Sequence, residues 1–327
     1  DRLAREEAAK QKEIRELRDK FFKEEDSKVR EKLQSKLIAD EAALSVIHRR
    51  QTEGDYIKFK TPADIPQDLK WEDGLDNPDP NAKKGGVLRQ WAPGSYPDTF
   101  RPNGPNSNSG FRGPLYDEII IGLVSIHPVT GKIIPGIAHK WAESPDRRTV
   151  YFELDPDARY TDGAKVKAID LLVNMYIRTS EYSRDVFYNN FFYQNASNIT
   201  IYDDSRFSIT LPFAKPLLPY YCTLFIPSPP HFYCEFGPNY VERYQWRIPP
   251  TTGAYVVKPD GIIRGRQVTL QRVPDWWARD KKFTKYMYNV DQIVYNFIAE
   301  PSKAIELFRI GELDVLNITK PELWHER

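Results

Sequence analysis

The run Leu115, Tyr116, Asp117, Glu118 opens the stretch that decides how this chain folds. A turn at 128–131 follows, then Pro135, Ala138, Trp141, Ser144 and Asp146. Residues 149–154 read Thr-Val-Tyr-Phe-Glu-Leu, alternating as a half-buried strand requires. The stretch closes on Tyr160, Thr161, Asp162 and Gly163, with Val166, Ala168 and Asp170 opening a helix over 167–178. Asp170 stands near the N-terminus of that helix, where the helix dipole favours negative charge. Nothing here has the spacing of a nucleophile elbow or a metal site. The pattern is a scaffold, and the first expectation is binding without chemistry.

Downstream, 198–202 and 206–211 predict a hairpin around Asp203, Asp204 and Ser205. The chain is then rich in aromatics and prolines as far as Pro250. Thr251, Thr252 and Gly253 turn into a strand at Tyr255, and further strands are expected at 267–272, 290–298 and 314–318. A helix at 302–310 closes on Gly311, which suits a C-terminal cap. Upstream, 115–123 reads as a buried helix, and 132–141 as a turn with a short amphipathic piece. Residues 51–85 form a connector whose prolines and glycines prevent long elements, with Trp71 packing it onto the body. Residues 1–50 are dense in charge of both signs and lack Gly and Pro. Ile14, Leu17, Phe21, Leu33, Leu37, Leu44 and Ile47 fall mostly three, four or seven apart, which is helical spacing. Asp26 and Ser27 interrupt the pattern and suit the cap of a second helix.

The whole chain has 327 residues, enough for two domains or one large one. Its 47 basic and 46 acidic residues leave a net charge of +1, so no nucleic-acid partner is indicated. No run of roughly 18 apolar residues exists to cross a bilayer. The opening Asp1-Arg2-Leu3-Ala4-Arg5 mixes acids and bases and is not a leader; the protein is expected to be cytosolic or to have lost one. The 19 tyrosines and 7 tryptophans suit wet ligand clefts as well as a rigid core. Five scattered histidines, at 48, 127, 139, 231 and 325, show no zinc-ligand spacing. No cofactor is expected.

These segments, in this order, resemble the extracytoplasmic solute-binding proteins of peptide/nickel-type ABC importers, family 5, from about Gly85 to Ile318. The likeness rests on the pieces quoted above, on Thr252, Gly253, Ala254 and Tyr255, on 272–277, and on Ala304 through Asp314. Tyr160 departs from the usual Trp, Arg147 from a usual Gly, and Thr251-Thr252 from a common Gly-Thr. The resemblance implies an α/β, periplasmic-binding-protein-like, two-lobed fold that closes on a ligand. Lobe I, 86–288, would carry an extra subdomain at about 114–215, and lobe II would begin at 289–327. The family's second lobe runs on well past this point, so the chain is expected to be C-terminally incomplete. The charged helical extension, 1–50, is unusual for the family.

The implied function is capture of peptides for an ABC importer permease, in the periplasm or another extracytoplasmic space. Membrane anchoring through a removed leader stays open. No enzyme activity is expected. Peptide is preferred over nickel because the histidines lack ligand spacing. The expected wall of the site is Trp91, Ser95, Tyr96 and Asp98 in the loop after the first strand, then Tyr116 and the turn Thr252, Gly253, Ala254, Tyr255. Gly253 would permit close backbone approach. Cys222 and Cys234 would close a short loop in an oxidising compartment, worth about 3 kcal/mol, or stand as two thiols in the cytosol; the resemblance favours the bridge. Two other readings stand beside this one. A carbohydrate-active enzyme or sugar-binding protein would need aromatic walls and, for catalysis, paired carboxylates. A protein-interaction module would bind another protein but no small molecule.

Overall fold

The computed structural model describes residues 2–53, 57–72 and 81–318. Helices α1 (Arg2–Lys23) and α2 (Ser27–Glu53) form a hairpin. Asp26 caps α2: its Oδ1 accepts the backbone N–H groups of Lys28 at 2.8 Å and Val29 at 3.2 Å. Ile14, Leu17 and Leu37 are buried in the seam, with Phe21, Leu33 and Leu44 against them. Lys10 bridges the two helices through Asp40 at 3.0 Å.

Strand β1 (Ile57–Phe59) lies in the connector. After β2 (Val87–Pro93), the chain makes a single π turn at Gly113–Asp117. The helix expected over 115–123 is therefore not formed. Ile119, Ile120 and Ile121 are β-branched and resist helix. Backbone pairing then draws the segment out, Gly122 accepting from Ile137 N–H at 2.8 Å and Leu123 from Ala138 N–H at 3.0 Å. Strands β3 (Val124–Ile126) and β4 (Ile133–Pro135) form a small hairpin. With β5 (Ala138–Glu143), they replace the amphipathic piece expected at 132–141.

β5 pairs antiparallel with β6 (Thr149–Leu154), whose Val150, Phe152 and Leu154 all point inward. Helices α3 (Asp170–Thr179) and α4 (Val186–Asn195) follow, then β7 (Asn198–Ile201) and β8 (Arg206–Thr210) as an antiparallel pair. The expected hairpin is thus present, and Asp203 shapes its turn by accepting from the N–H groups of Ser205 and Arg206. The sheet order is β1-β7-β8-β6-β5, with β1 parallel to β7. Phe152 and Phe207 face each other in register and stack at 5.3 Å. The connector thus supplies an edge strand, and Glu72 pairs with Trp141. Trp71 itself is 39% exposed and does not pin the segment. Gly74, Pro78 and Pro80 lie outside the described residues.

Two short helices follow, α5 (Leu218–Tyr221) and α6 (Tyr240–Arg243). Strands β9 (Tyr255–Ile263), β10 (Gln267–Arg272) and β11 (Gln292–Ile298) complete a second sheet in the order β2-β11-β10-β9. β11 lies between β2, to which it is parallel, and antiparallel β10. A half-buried strand with Tyr295 packed on Phe111 needs that central place. Helix α7 (Pro301–Arg309) ends at Gly311, whose φ of 79° suits a left-handed cap. The chain then returns to β2: Asp314 N–H donates to Arg89 carbonyl at 2.8 Å, and Val315 bridges Gln90. Among the described residues no helix is long and apolar enough to cross a membrane.

Candidate functional site

A cleft of about 460 Å³ opens where helix α3, the segment from Arg112 to Ile126 and the turn before β9 converge. Its walls mix apolar and proline surface with polar and charged side chains, as small-ligand sites do. One wall is the loop after β2, and that loop is rigidly built. Phe100 N–H and Thr99 Oγ1 both donate to the Gln245 carbonyl, at 2.8 and 2.7 Å. Arg101 is buried and donates to the carbonyls of Asn103 at 2.6 Å and Val241 at 2.7 Å. Burial pulls its guanidinium pKa down. Tyr116 hydroxyl donates to the Phe100 carbonyl, and Arg112 to that of Pro102.

The opposite wall is α3. Asp170, Asn174 and Arg178 stand four residues apart, so they share one helix face, and that face is buried. Asp170 is 2% exposed and accepts from Tyr160 hydroxyl at 2.9 Å and Lys167 N–H at 3.0 Å. Burial nevertheless raises its carboxyl pKa, outweighing those bonds. Asn174 donates to Ser228 Oγ at 2.8 Å, and Ser228 N–H donates to the Asp170 carbonyl at 3.1 Å. The guanidinium of Arg178 lies over the Tyr188 ring at 4.3 Å and the Phe192 ring at 5.8 Å, in the range of cation–π contact. Desolvation pulls its pKa down. Asn174 and Arg178 line the cleft; so do Asn103, Ser228 and Tyr233.

The expected wall residues separate into three groups. Tyr116 and Thr252 border the cleft, although both are buried. Ser95 and Asp98 are exposed, while Tyr96 packs edge-on against Phe297 at 4.9 Å and Phe100 at 5.8 Å. Trp91 donates its indole N–H to the Ile298 carbonyl at 2.9 Å, tying β2 to β11. None of these four lines the cleft.

The turn at 251–255 is a joint. Thr252 Oγ1 donates to the Ile121 carbonyl at 2.7 Å, and the Thr252 carbonyl accepts both indole N–H groups of Trp276 and Trp277, at 3.0 and 2.9 Å. A Cβ on Gly253 would stand 1.9 Å from the Ile119 carbonyl oxygen, so the close approach expected there is to the protein's own backbone. Ala254 is wholly buried, and Tyr255 hydroxyl donates to the Val290 carbonyl at 2.9 Å. The cysteine bridge is not formed: both thiols are free, Cys222 buried and Cys234 exposed. Among the described residues no three His, Cys, Asp or Glu side chains converge on a metal position.

Residues 132–326, more than half of the chain, match the model of the bacterial extracellular solute-binding proteins, family 5, middle region. The chain belongs to that family. Similar proteins include a probable ABC transporter-binding protein of Deinococcus radiodurans, 25% identical over 209 residues, covering 59% of this chain and 34% of that protein. The periplasmic oligopeptide-binding protein OppA of Escherichia coli K12 is 24% identical over 230 residues, covering 63% of this chain and 38% of it. Among solved structures, Haemophilus influenzae OppA complexed with the peptide RPPGFSPFR aligns with a TM-score of 0.55 and 21% identity, covering 71% of this chain and 45% of that one. The chain therefore spans about a third of the length of these curated relatives. The family membership confirms the α/β, periplasmic-binding-protein-like architecture expected from 115–170, of which the described residues form a part.

Sequence reading missed Asn103, Asn174, Arg178, Ser228 and Tyr233. For Asn174 and Arg178 a signal existed. Three polar residues at fourfold spacing on a helix that also carries Leu171, Met175 and Ile177 must place some polar groups indoors. Asn103, Ser228 and Tyr233 sit in irregular backbone, where no periodicity points.

Proposed function

We propose that this protein captures an extended peptide outside the cytoplasmic membrane and delivers it unaltered to the permease of an ABC importer. The observation that carries this reading is the cleft between α3 and the 99–118 segment, in a chain of the family 5 solute-binding proteins. Its floor is rigid, which keeps the entropic loss on binding small. Its polar groups are spread among apolar and proline surface, which suits a ligand whose amides recur along a backbone. The OppA relatives named above bear oligopeptide-binding names or a bound peptide. Ligand binding would favour a closed arrangement of the whole protein, and the permease would read that arrangement.

The test is a thermal-shift screen of the full-length protein with di- to pentapeptides, and with sugars in parallel. A peptide at a hundredfold excess over its Kd adds about 2.7 kcal/mol of stability. That stabilisation appears as a rise in Tm of a few °C. A shift with sugars and none with peptides would overturn the reading in favour of a carbohydrate ligand.

A further inference from the structure

A second, smaller cavity of about 220 Å³ lies behind one wall of the cleft, between β5 and the 277–284 segment. Ile121, Pro135, Gly136, Phe283 and Thr284 form the partition and border both spaces. Drug-sized ligands occupy roughly 300 Å³ or more, so this cavity suits a smaller molecule. One charged group on its lining is only half engaged. Asp155 is 8% exposed. Its Oδ1 accepts from the Lys281 ammonium and from the Asp157 N–H, both at 2.9 Å. Its Oδ2 meets no donor among the described residues, yet that oxygen is not sealed off from solvent. The little surface this carboxylate keeps opens on the cavity it lines. A largely buried, charged acceptor without a donor is stabilised by a ligand that brings an N–H.

The surrounding charge decides which donor fits. Lys281 stands between two carboxylates, Asp155 at 2.9 Å and Asp157 at 2.6 Å, which together outweigh it. Lys282, the other lysine on the lining, lies over the Phe283 ring at 5.2 Å. His139 Nε2 is tied to Glu153 Oε1 at 3.1 Å. With His139 neutral, three carboxylates face two lysines around the cavity, and the balance is negative. A cation is favoured there and an anion repelled. Beyond these groups the side chains offer mainly carbon. Trp277 donates its indole N–H to the Thr252 carbonyl at 2.9 Å, and Thr284 its hydroxyl to that of Ala278. What Trp277 has left is ring surface, which attracts an ammonium and covers an apolar body equally well.

We propose that this cavity is a second binding site, for a small organic monocation: a primary ammonium carried on a short apolar or aromatic body. The ammonium donates to Asp155 Oδ2, and the body lies on Trp277 against Ile121 and Pro135. The site stands apart from peptide capture, because its ligand lies on the far side of the partition from the cleft.

The experiment titrates the full-length protein calorimetrically with phenethylamine. Phenethyl alcohol and hydrocinnamate run in parallel; they keep the ring and replace the ammonium with a hydroxyl or a carboxylate. A charge-assisted hydrogen bond changes affinity about 10- to 100-fold, so the amine should bind that much more tightly than the alcohol, and hydrocinnamate more weakly still. Asp155→Asn keeps the Oδ1 acceptor and removes the charge; it should lower amine affinity about 10-fold and leave the alcohol within about threefold. Glu118→Gln tests the rival carboxylate, which lines the cleft, and should leave the amine within about threefold. Photolysis of azidophenethylamine on the wild type locates the site even if Asp155→Asn fails to fold: cross-links should map to 277–282 or 138–139. Equal affinity for amine and alcohol overturns the charged contact. A loss with Glu118→Gln and none with Asp155→Asn, or cross-links confined to 174–178, overturns the place. No binding of phenethylamine overturns the site itself, while peptide binding in the cleft is measured separately and stands or falls by its own screen.

Discussion

Gly253→Ala separates a joint from a ligand wall. The added Cβ would meet Ile119 O at 1.9 Å, Ile119 C at 2.8 Å and Ile120 N at 3.5 Å. All three are backbone atoms, so no side chain can swing aside. Relief requires the 252–254 backbone to retreat by about 1 Å or more to restore an ordinary contact. That movement carries the Thr252 carbonyl away from two indole N–H groups and the Thr252 hydroxyl away from Ile121. Overpacking costs about 1–3 kcal/mol, and weakened hydrogen bonds about 1 kcal/mol each. The sum is about 4–6 kcal/mol, or a fall in Tm of roughly 6–9 °C at this chain length. Urea denaturation monitored by tryptophan fluorescence measures it, since Trp276 and Trp277 report on the joint directly. Gly237→Ala is the control: nothing lies within 4 Å of its Cβ position, so its stability should change by less than about 1 kcal/mol. If Gly253→Ala kept full stability and lost only peptide affinity, the joint would be refuted and Gly253 returned to the binding surface.

Three further outcomes follow from particular contacts. Burial raises the Asp170 pKa, so ionisation of this carboxyl opposes folding above that raised pKa, and the penalty fades as pH falls through it towards the unfolded value. The stability of the wild type relative to Asp170→Asn should thus rise as urea denaturation is carried from pH 7 to pH 4; parallel curves would count against it. Ellman titration at pH 8 should find one reactive thiol in the native protein, Cys234, because burial pushes the Cys222 thiol far up. Two should appear after non-reducing denaturation, and none there would restore the bridge. Lys281→Met strips the cation from Asp155 at 2.9 Å, a carboxylate only 8% exposed, and should cost about 1–3 kcal/mol in denaturant. An unchanged midpoint would refute that role for the lysine.

Local pattern settled what local forces govern. Strand 149–154 occupies the residues that its alternation indicated, because a period of two is sufficient to place one face indoors, and 267–272 is a strand as expected. The break at Asp26 and Ser27 marked the helical hairpin, since a side chain can cap the next helix with no help from the fold. The ordered series from Leu115 to Asp170 identified the family for the same reason: each piece is a turn, strand or cap written in adjacent residues.

The fold itself settled everything that depends on partners distant in sequence. Nothing in 290–298 says that β11 lies beside β2, because parallel pairing is chosen by burial across two hundred residues of intervening chain, not by the strand's own period. Nothing around Gly253 says whether backbone or ligand comes close, because that depends on where Ile119 is held. The cleft follows the same rule: Asn103 and Asn174 come to border one space only when a loop and a helix, each ordinary alone, are brought together.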